Sequence, residues 1–266
     1  MQRAWRQSAA LFRIYVQDGL AYKASGLIWL LTDVSTAITM PLVWLAASRT
    51  GLISGYSLND IVTYYLAILG LGGFIVCHFM WDISWEIKDG TFSAHVLRPV
   101  SYLHFILVRN LSWRLVRSGL FLPAFALIVA GYWKYVSLST VYLGWEFWVS
   151  VLLGHFVSVL FVTAFAMIAL LTQEAQSIFE LYYIPMLFLS GQLFPVDLFP
   201  KWAQNLAHVF PFYYTTGVPA EILVGRLSPE DSHMALAVQV GWIAVSYALY
   251  RILWRIGMRH YTGVGM

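Results

Sequence analysis

The sequence predicts an all-α integral membrane protein with six transmembrane helices. It adds an N-terminal interfacial helix, a short cytoplasmic helix between spans two and three, and short re-entrant outer helices. Three observations predict this. Only 11% of the 266 residues are charged, against ~25% in soluble domains. Hydrophobic residues make up 60%, and the mean hydropathy is +0.70. Apolar runs recur at the length of about 20 residues that crosses a bilayer core. No stretch has a soluble composition, so residues 1–266 are expected to form one membrane domain.

Residues 3–24 come first. Trp5, Ala9, Phe12, Val16 and Leu20 recur every three or four positions, with Arg3, Arg6, Arg13, Gln17 and Lys23 on other faces. This pattern suits a helix lying in the lipid interface; an amphipathic helix packed on a partner has the same pattern. The charges exclude a signal peptide. The spans then run over 27–47, 61–81, 105–131, 147–171, 177–194 and 233–253. Pro41, Pro123 and Pro185 inside them predict kinks, tolerable where neighbours satisfy the freed carbonyls.

Orientation follows from Lys and Arg. With the N-terminus in the cytoplasm, the outer side receives Arg49, Lys134, Lys201 and Arg226, and the other twelve cations fall inside. Both termini are then cytoplasmic, in a multi-pass protein of the inner (cytoplasmic) membrane.

The stretch over 82–104 is the most polar part of the middle of the chain. Gly90 offers a break, because glycine takes backbone conformations closed to other residues. Pro99 ends the following helix, because the residue before proline leaves the helical region. Phe92, Val96 and Val100 are four apart, with Leu97 beside them. A short helix with one apolar stripe and a charged preface is a surface for docking another protein. The segment over 195–230 is outside yet apolar. Pro195, Pro200, Pro211 and Pro219 cut it into short pieces that dip into the outer leaflet.

Four ionisable residues fall within spans: Asp33, Arg114, Arg117 and Glu180. Such residues are functional candidates. Arg114 and Arg117, three apart, share a helix face. Asp33 either pairs with one of them or contacts substrate. Arg109 can reach the interface by snorkelling. Tryptophans near span ends form an interfacial belt.

Several chemistries find no support. No histidine pair has zinc spacing, and no Gly-Lys pair exists to make a phosphate-binding loop. Gly51-Leu52-Ile53-Ser54-Gly55 is not a nucleophile elbow. Cys77 is the only cysteine, so neither an intrachain disulfide nor a thiolate metal cluster is expected. The chain is expected to bind no cofactor or metal and to hydrolyse no nucleotide itself.

Gly90-Thr91-Phe92 followed by Leu97-Arg98-Pro99-Val100-Ser101 resembles a motif of the membrane subunit of type-2 ABC exporters. So does Ser190-Gly191 with Phe194-Pro195, Phe199-Pro200-Lys201-Trp202 and Pro211-Phe212-Tyr213-Tyr214. The short loops are similar to a subgroup in which two different permeases share one ATPase. The resemblance implies a permease facing a second permease chain, identical or paralogous. It also implies an ABC ATPase dimer beneath that carries ATP and Mg. ATPase coupling would fall to Glu86, Gly90, Phe92, Val96, Leu97, Arg98 and Pro99. The outer re-entrant segment would rest on Gly191, Pro195, Pro200, Trp202, Pro211 and Tyr214. Export by alternating access is implied, of lipid-like, glycan, peptide or drug-like cargo; the apolar outer segment leans toward an amphipathic one. Membrane lipid is an expected partner and nucleic acid is not. A secondary transporter or channel-forming subunit, or a membrane-embedded lipid-modifying enzyme, are the alternatives; the first lacks a visible repeat and the last a recognised catalytic spacing.

Overall fold

The computed structural model describes residues 2–21, 38–44, 46, 55–172 and 175–263, and among these the chain is helical without strands. Helix α1 covers Gln2–Ala21, and 38–44 is helical. Then come α2 (Leu58–Ile75), α3 (Met80–Lys88), α4 (Thr91–Val96), α5 (Tyr102–Tyr132), α6 (Trp145–Ala166) and α7 (Ala175–Leu189). The last are α8 (Lys201–Val209), α9 (Val218–Leu223) and α10 (Pro229–His260). A π-helical turn, Tyr213–Gly217, leads into α9.

Side-chain caps start the long helices. Ser57 opens α2 with a reciprocal box: its hydroxyl accepts from the Asp60 N–H at 3.2 Å, and the Asp60 carboxylate accepts from the Ser57 N–H at 3.0 Å. Ser101 caps α5 and Ser228 caps α10, where Pro229 takes the first helical position that needs no N–H donor. Glu230 and Asp231 sit in that exposed first turn, favoured by the helix dipole.

Four stretches are long and apolar enough to cross a membrane: Leu58–Lys88, Tyr102–Tyr135, Trp145–Leu170 and Pro229–His260. They match expected spans two, three, four and six. The chain is therefore a multi-pass membrane protein. Most of span one, with Asp33 and Lys23, lies outside the described residues. The expected fifth span is shorter as described. Helix α7 has 15 residues, about 22 Å at 1.5 Å per residue, and does not run on to Phe194. Gly191 ends the run with φ +78°, and Tyr64 donates to its carbonyl at 2.8 Å.

The core forms where α6 and α10 pack along each other. Buried Gln239 on α10 joins three elements: its amide donates to the Ser150 carbonyl of α6 at 3.0 Å and to the Tyr214 carbonyl of the π turn at 2.8 Å. Gly154 permits that approach, since a Cβ there would stand 2.5 Å from the Thr215 carbonyl oxygen. Helix α1 lies along α5. Leu11 and Tyr15 face the core, whereas Trp5, Ile14 and Leu20 are exposed. The expected stripe is thus turned partly outward, because α5 takes the neighbouring face.

Candidate functional site: the Gly90 elbow and the Glu221 cluster

Two polar sites flank the apolar core. The first is an elbow between α3 and α4. Gly90 makes the turn with φ +82°, open to glycine and strained for L side chains. Asp89 fixes the far side by accepting from the Thr91 N–H at 2.9 Å and the Thr91 hydroxyl at 2.7 Å.

Helix α4 is pinned by aromatic rings. Phe92 is fully buried, with the rings of Tyr102, Tyr261 and Trp254 at 5.0, 5.2 and 6.1 Å. Ser93 and Tyr261 hydroxyls lie 2.8 Å apart. On the other side, His95 stacks on Phe105 at 4.5 Å, and Arg98 covers the same ring at 5.2 Å. Helix α1 closes the elbow through Tyr15, edge-on to Phe105, and Ser8, 2.9 Å from His104 Nε2.

Glu86 points inward and forms an ion pair with Arg109 of α5. His95 Nε2 is 3.9 Å from the same carboxylate. Burial first, then Arg98 and Arg109, lower the His95 pKa to about 4. His95 is therefore neutral at physiological pH, and Arg109 is the cationic partner of Glu86. The Arg109 side chain thus ends on the Glu86 carboxylate.

The expected coupling residues therefore divide. Phe92 and Glu86 hold the elbow from inside. Gly90 sets the turn. Val96 is half-buried. Arg98 and Pro99 are exposed, and Leu97, 86% exposed, stands at the tip, with Trp85 also exposed before the turn. The expected apolar stripe is not one surface, because α4 has only six residues and its first turn is sealed by rings.

The second site is built on Glu221 of α9. Tyr213 donates to its Oε2 at 2.6 Å, while Oε1 is buried and has no hydrogen-bond partner. Burial pushes the Glu221 pKa up to about 8, more than the Tyr213 hydrogen bond and Arg226 lower it. Beside it, Tyr56 donates to both Asp197 oxygens at 2.8 Å, and its ring lies 3.6 Å beneath the Arg226 guanidinium. Arg226 also donates to the Gly55 carbonyl at 2.9 Å. Burial is the leading cause that raises the pKa of both Tyr56 and Tyr213.

Gly191 packs against this cluster; a Cβ there would fall 2.5 Å from the Tyr64 hydroxyl. Pro195 and Pro200 precede a short 3-10 turn and α8. Pro211 and Tyr214 are buried in the π turn region, and Tyr214 donates to the His208 carbonyl at 3.1 Å. Trp202, 71% exposed, stands out from α8 with Leu206 and Val209. Glu221 and Tyr213 were not singled out from the sequence. The available signal was one carboxyl in the apolar run Val218-Pro219-Ala220-Glu221-Ile222-Leu223.

The intramembrane charges are dispersed. Arg114 is buried and donates to the Gly73 carbonyl at 2.7 Å and to the Val76 carbonyl. These carbonyls lie where the second span stops being helical, between α2 and α3. Arg117 lines a cleft of about 130 Å³ with Gly70, Gly73 and Phe121. Glu180 is on the exposed face of α7 with Leu181, Ile184 and Phe188. Asp33, expected to pair with Arg114 or Arg117, is outside the described residues. Among the described residues no group of His, Cys, Asp and Glu could hold a metal.

Residues 34–265 match the family model described as ABC-2 family transporter protein. No curated protein matches the sequence.

Proposed function

Since the chain belongs to the ABC-2 transporter family, as the membrane permease of an ABC transporter, we propose that it is driven by a separate ATPase dimer docking on the inner elbow. One observation carries this reading: a ring-packed elbow presents Leu97 as an exposed apolar knob at its tip, with Trp85 exposed before the turn. Leu97 protrudes, and everything beneath it is fixed by rings and the Glu86–Arg109 pair. Such a projection passes a displacement into α3 and α5 without dissipating it in side-chain motion.

In this reading the chain has six spans, with span one and α7 completing the four long stretches. Helix α1 lies in the interface, α4 is the coupling helix, and α8 and α9 are the re-entrant outer helices. Both termini face the cytoplasm at the inner membrane. ATP and Mg stay on the ATPase. A second permease chain completes the pathway, and the exposed face of α7, with Glu180 at its inner end, is the surface that would meet it. The cargo is amphipathic and is exported by alternating access. The apolar faces of α7 and α8 support that cargo class.

The test is co-purification of the ATPase with Leu97→Asp. Capture of the ATPase should be lost while membrane insertion and thermal midpoint stay at wild-type values. Phe92 is unsuited to this test, because a charge there enters the core. Undiminished capture by Leu97→Asp overturns the docking assignment.

A further inference from the structure

The second span is broken, and the break has its own support. Helix α2 stops at Ile75 and α3 starts at Met80, within one apolar stretch of 31 residues. No proline causes the stop. Gly70, Gly72 and Gly73 precede it, and glycine weakens a helix. A break inside a span frees backbone groups that hydrocarbon cannot satisfy. Here neighbouring helices satisfy them. Arg114 of α5 donates to the Gly73 and Val76 carbonyls. From α6, the His155 Nδ1 lies 3.1 Å from the Phe74 carbonyl, and the Ser158 hydroxyl accepts from the Cys77 N–H at 3.0 Å.

The two halves of the span are tied to different ends of the molecule. Above the break, Tyr64 and Tyr65 donate to the Gly191 and Leu193 carbonyls of the outer segment. Below it, Glu86 is bound to Arg109. A displacement of the elbow therefore meets its weakest backbone at Val76–His78. His78 Nδ1, within the break, and Ser84 Oγ, one turn into α3, are buried without hydrogen-bond partners among the described residues, so polar groups gather at this level of the span.

We propose that Val76–His78 is the joint at which the second span bends, and that Arg114 is the positioning residue that keeps its carbonyls satisfied through the motion. The guanidinium suits this, because its planar fork holds two acceptors at once where an ammonium acts as a point charge. The proposal rests on the elbow being the place where force enters.

Cys77, the only cysteine and buried within the joint, reports on it. The measurement is the rate of N-ethylmaleimide modification of the full chain in lipid nanodiscs, read by intact mass. Arg114→Gln should raise the rate by about fivefold, as a local opening of the break requires. Arg114→Lys should fall between Arg114→Gln and wild type, and Ser158→Ala should give a smaller rise of the same sign. Equal rates in Arg114→Gln, Ser158→Ala and wild type overturn the joint; if Arg114→Gln does not insert, Ser158→Ala alone decides. In the complex with its ATPase, Arg114→Gln should keep ATP hydrolysis while transport per ATP falls severalfold. Parallel loss of both indicates a merely structural role and overturns the positioning assignment. Failure to capture any ATPase counts against the proposed function, and the thiol measurement still decides the joint.

Discussion

The Gly90 elbow and the Glu221 cluster each turn a carboxyl away from solvent, half-buried at Glu86 and fully at Glu221, and they neutralise it differently. Glu86 meets a cation, Arg109, brought from another helix. Glu221 has no cation within ion-pair distance among the described residues; Tyr213 donates to it and burial favours its protonated form. The elbow is thereby locked by charge, and the Glu221 cluster is poised to respond to protons. A docking surface of the kind proposed above gains from the first arrangement, because an ion pair between two helices fixes their relative geometry.

The largest expected effect tests how the elbow is anchored. Phe92→Ala should lower unfolding stability by ~4 kcal/mol, the range for large-to-small changes at a fully buried ring. Leu97→Ala should leave stability within about 0.5 kcal/mol, as at exposed sites. Denaturation in detergent followed by tryptophan fluorescence measures both. Equal losses would contradict the division of the elbow into anchor and knob.

Next comes the charge lock. Glu86→Ala leaves the half-buried Arg109 without its carboxylate and should cost ~2 kcal/mol, below the range for a fully buried pair. Adding Arg109→Leu should restore part of that loss. A double variant weaker than Glu86→Ala, by the same denaturation measurement, would show that the pair is not the lock.

The last prediction concerns the Glu221 cluster and is read as a slope with pH. The Glu221 pKa is raised from 4.5 to about 8. The native state therefore keeps a proton that the unfolded chain loses as pH rises above about 4.5. Its stabilising contribution is full below that pH and is lost as pH climbs through about 8. The thermal midpoint of the wild type should fall progressively between about pH 5 and pH 9. Glu221→Gln should remove that part of the slope, and an unchanged slope would place the pH response elsewhere.

The turn at Gly90 and the helix end before Pro99 were legible in the sequence, because both are local backbone effects. So were four spans, which depend on composition. The Glu86–Arg109 pair was not legible. Its members are 23 residues apart, and only the fold of α3 against α5 brings them together. Arg109 alone reads as a snorkelling residue at a span end. The break in the second span was equally hidden, since an uninterrupted apolar run with glycines still reads as one helix.

What the sequence by itself determined is the solvent and the order of the elements: a bilayer protein with a polar elbow between two spans and a proline-cut outer segment. Those follow from composition, charge asymmetry and local backbone preference, which each residue carries wherever it folds. The tertiary structure alone decided which way α4 turns, so that Phe92 became an anchor and Leu97 a knob. It also decided which carboxyl meets a cation and which keeps a proton, and where the second span breaks. Each of those depends on groups distant in sequence meeting in a low-dielectric interior, where an unpartnered charge or carbonyl is too costly to leave alone.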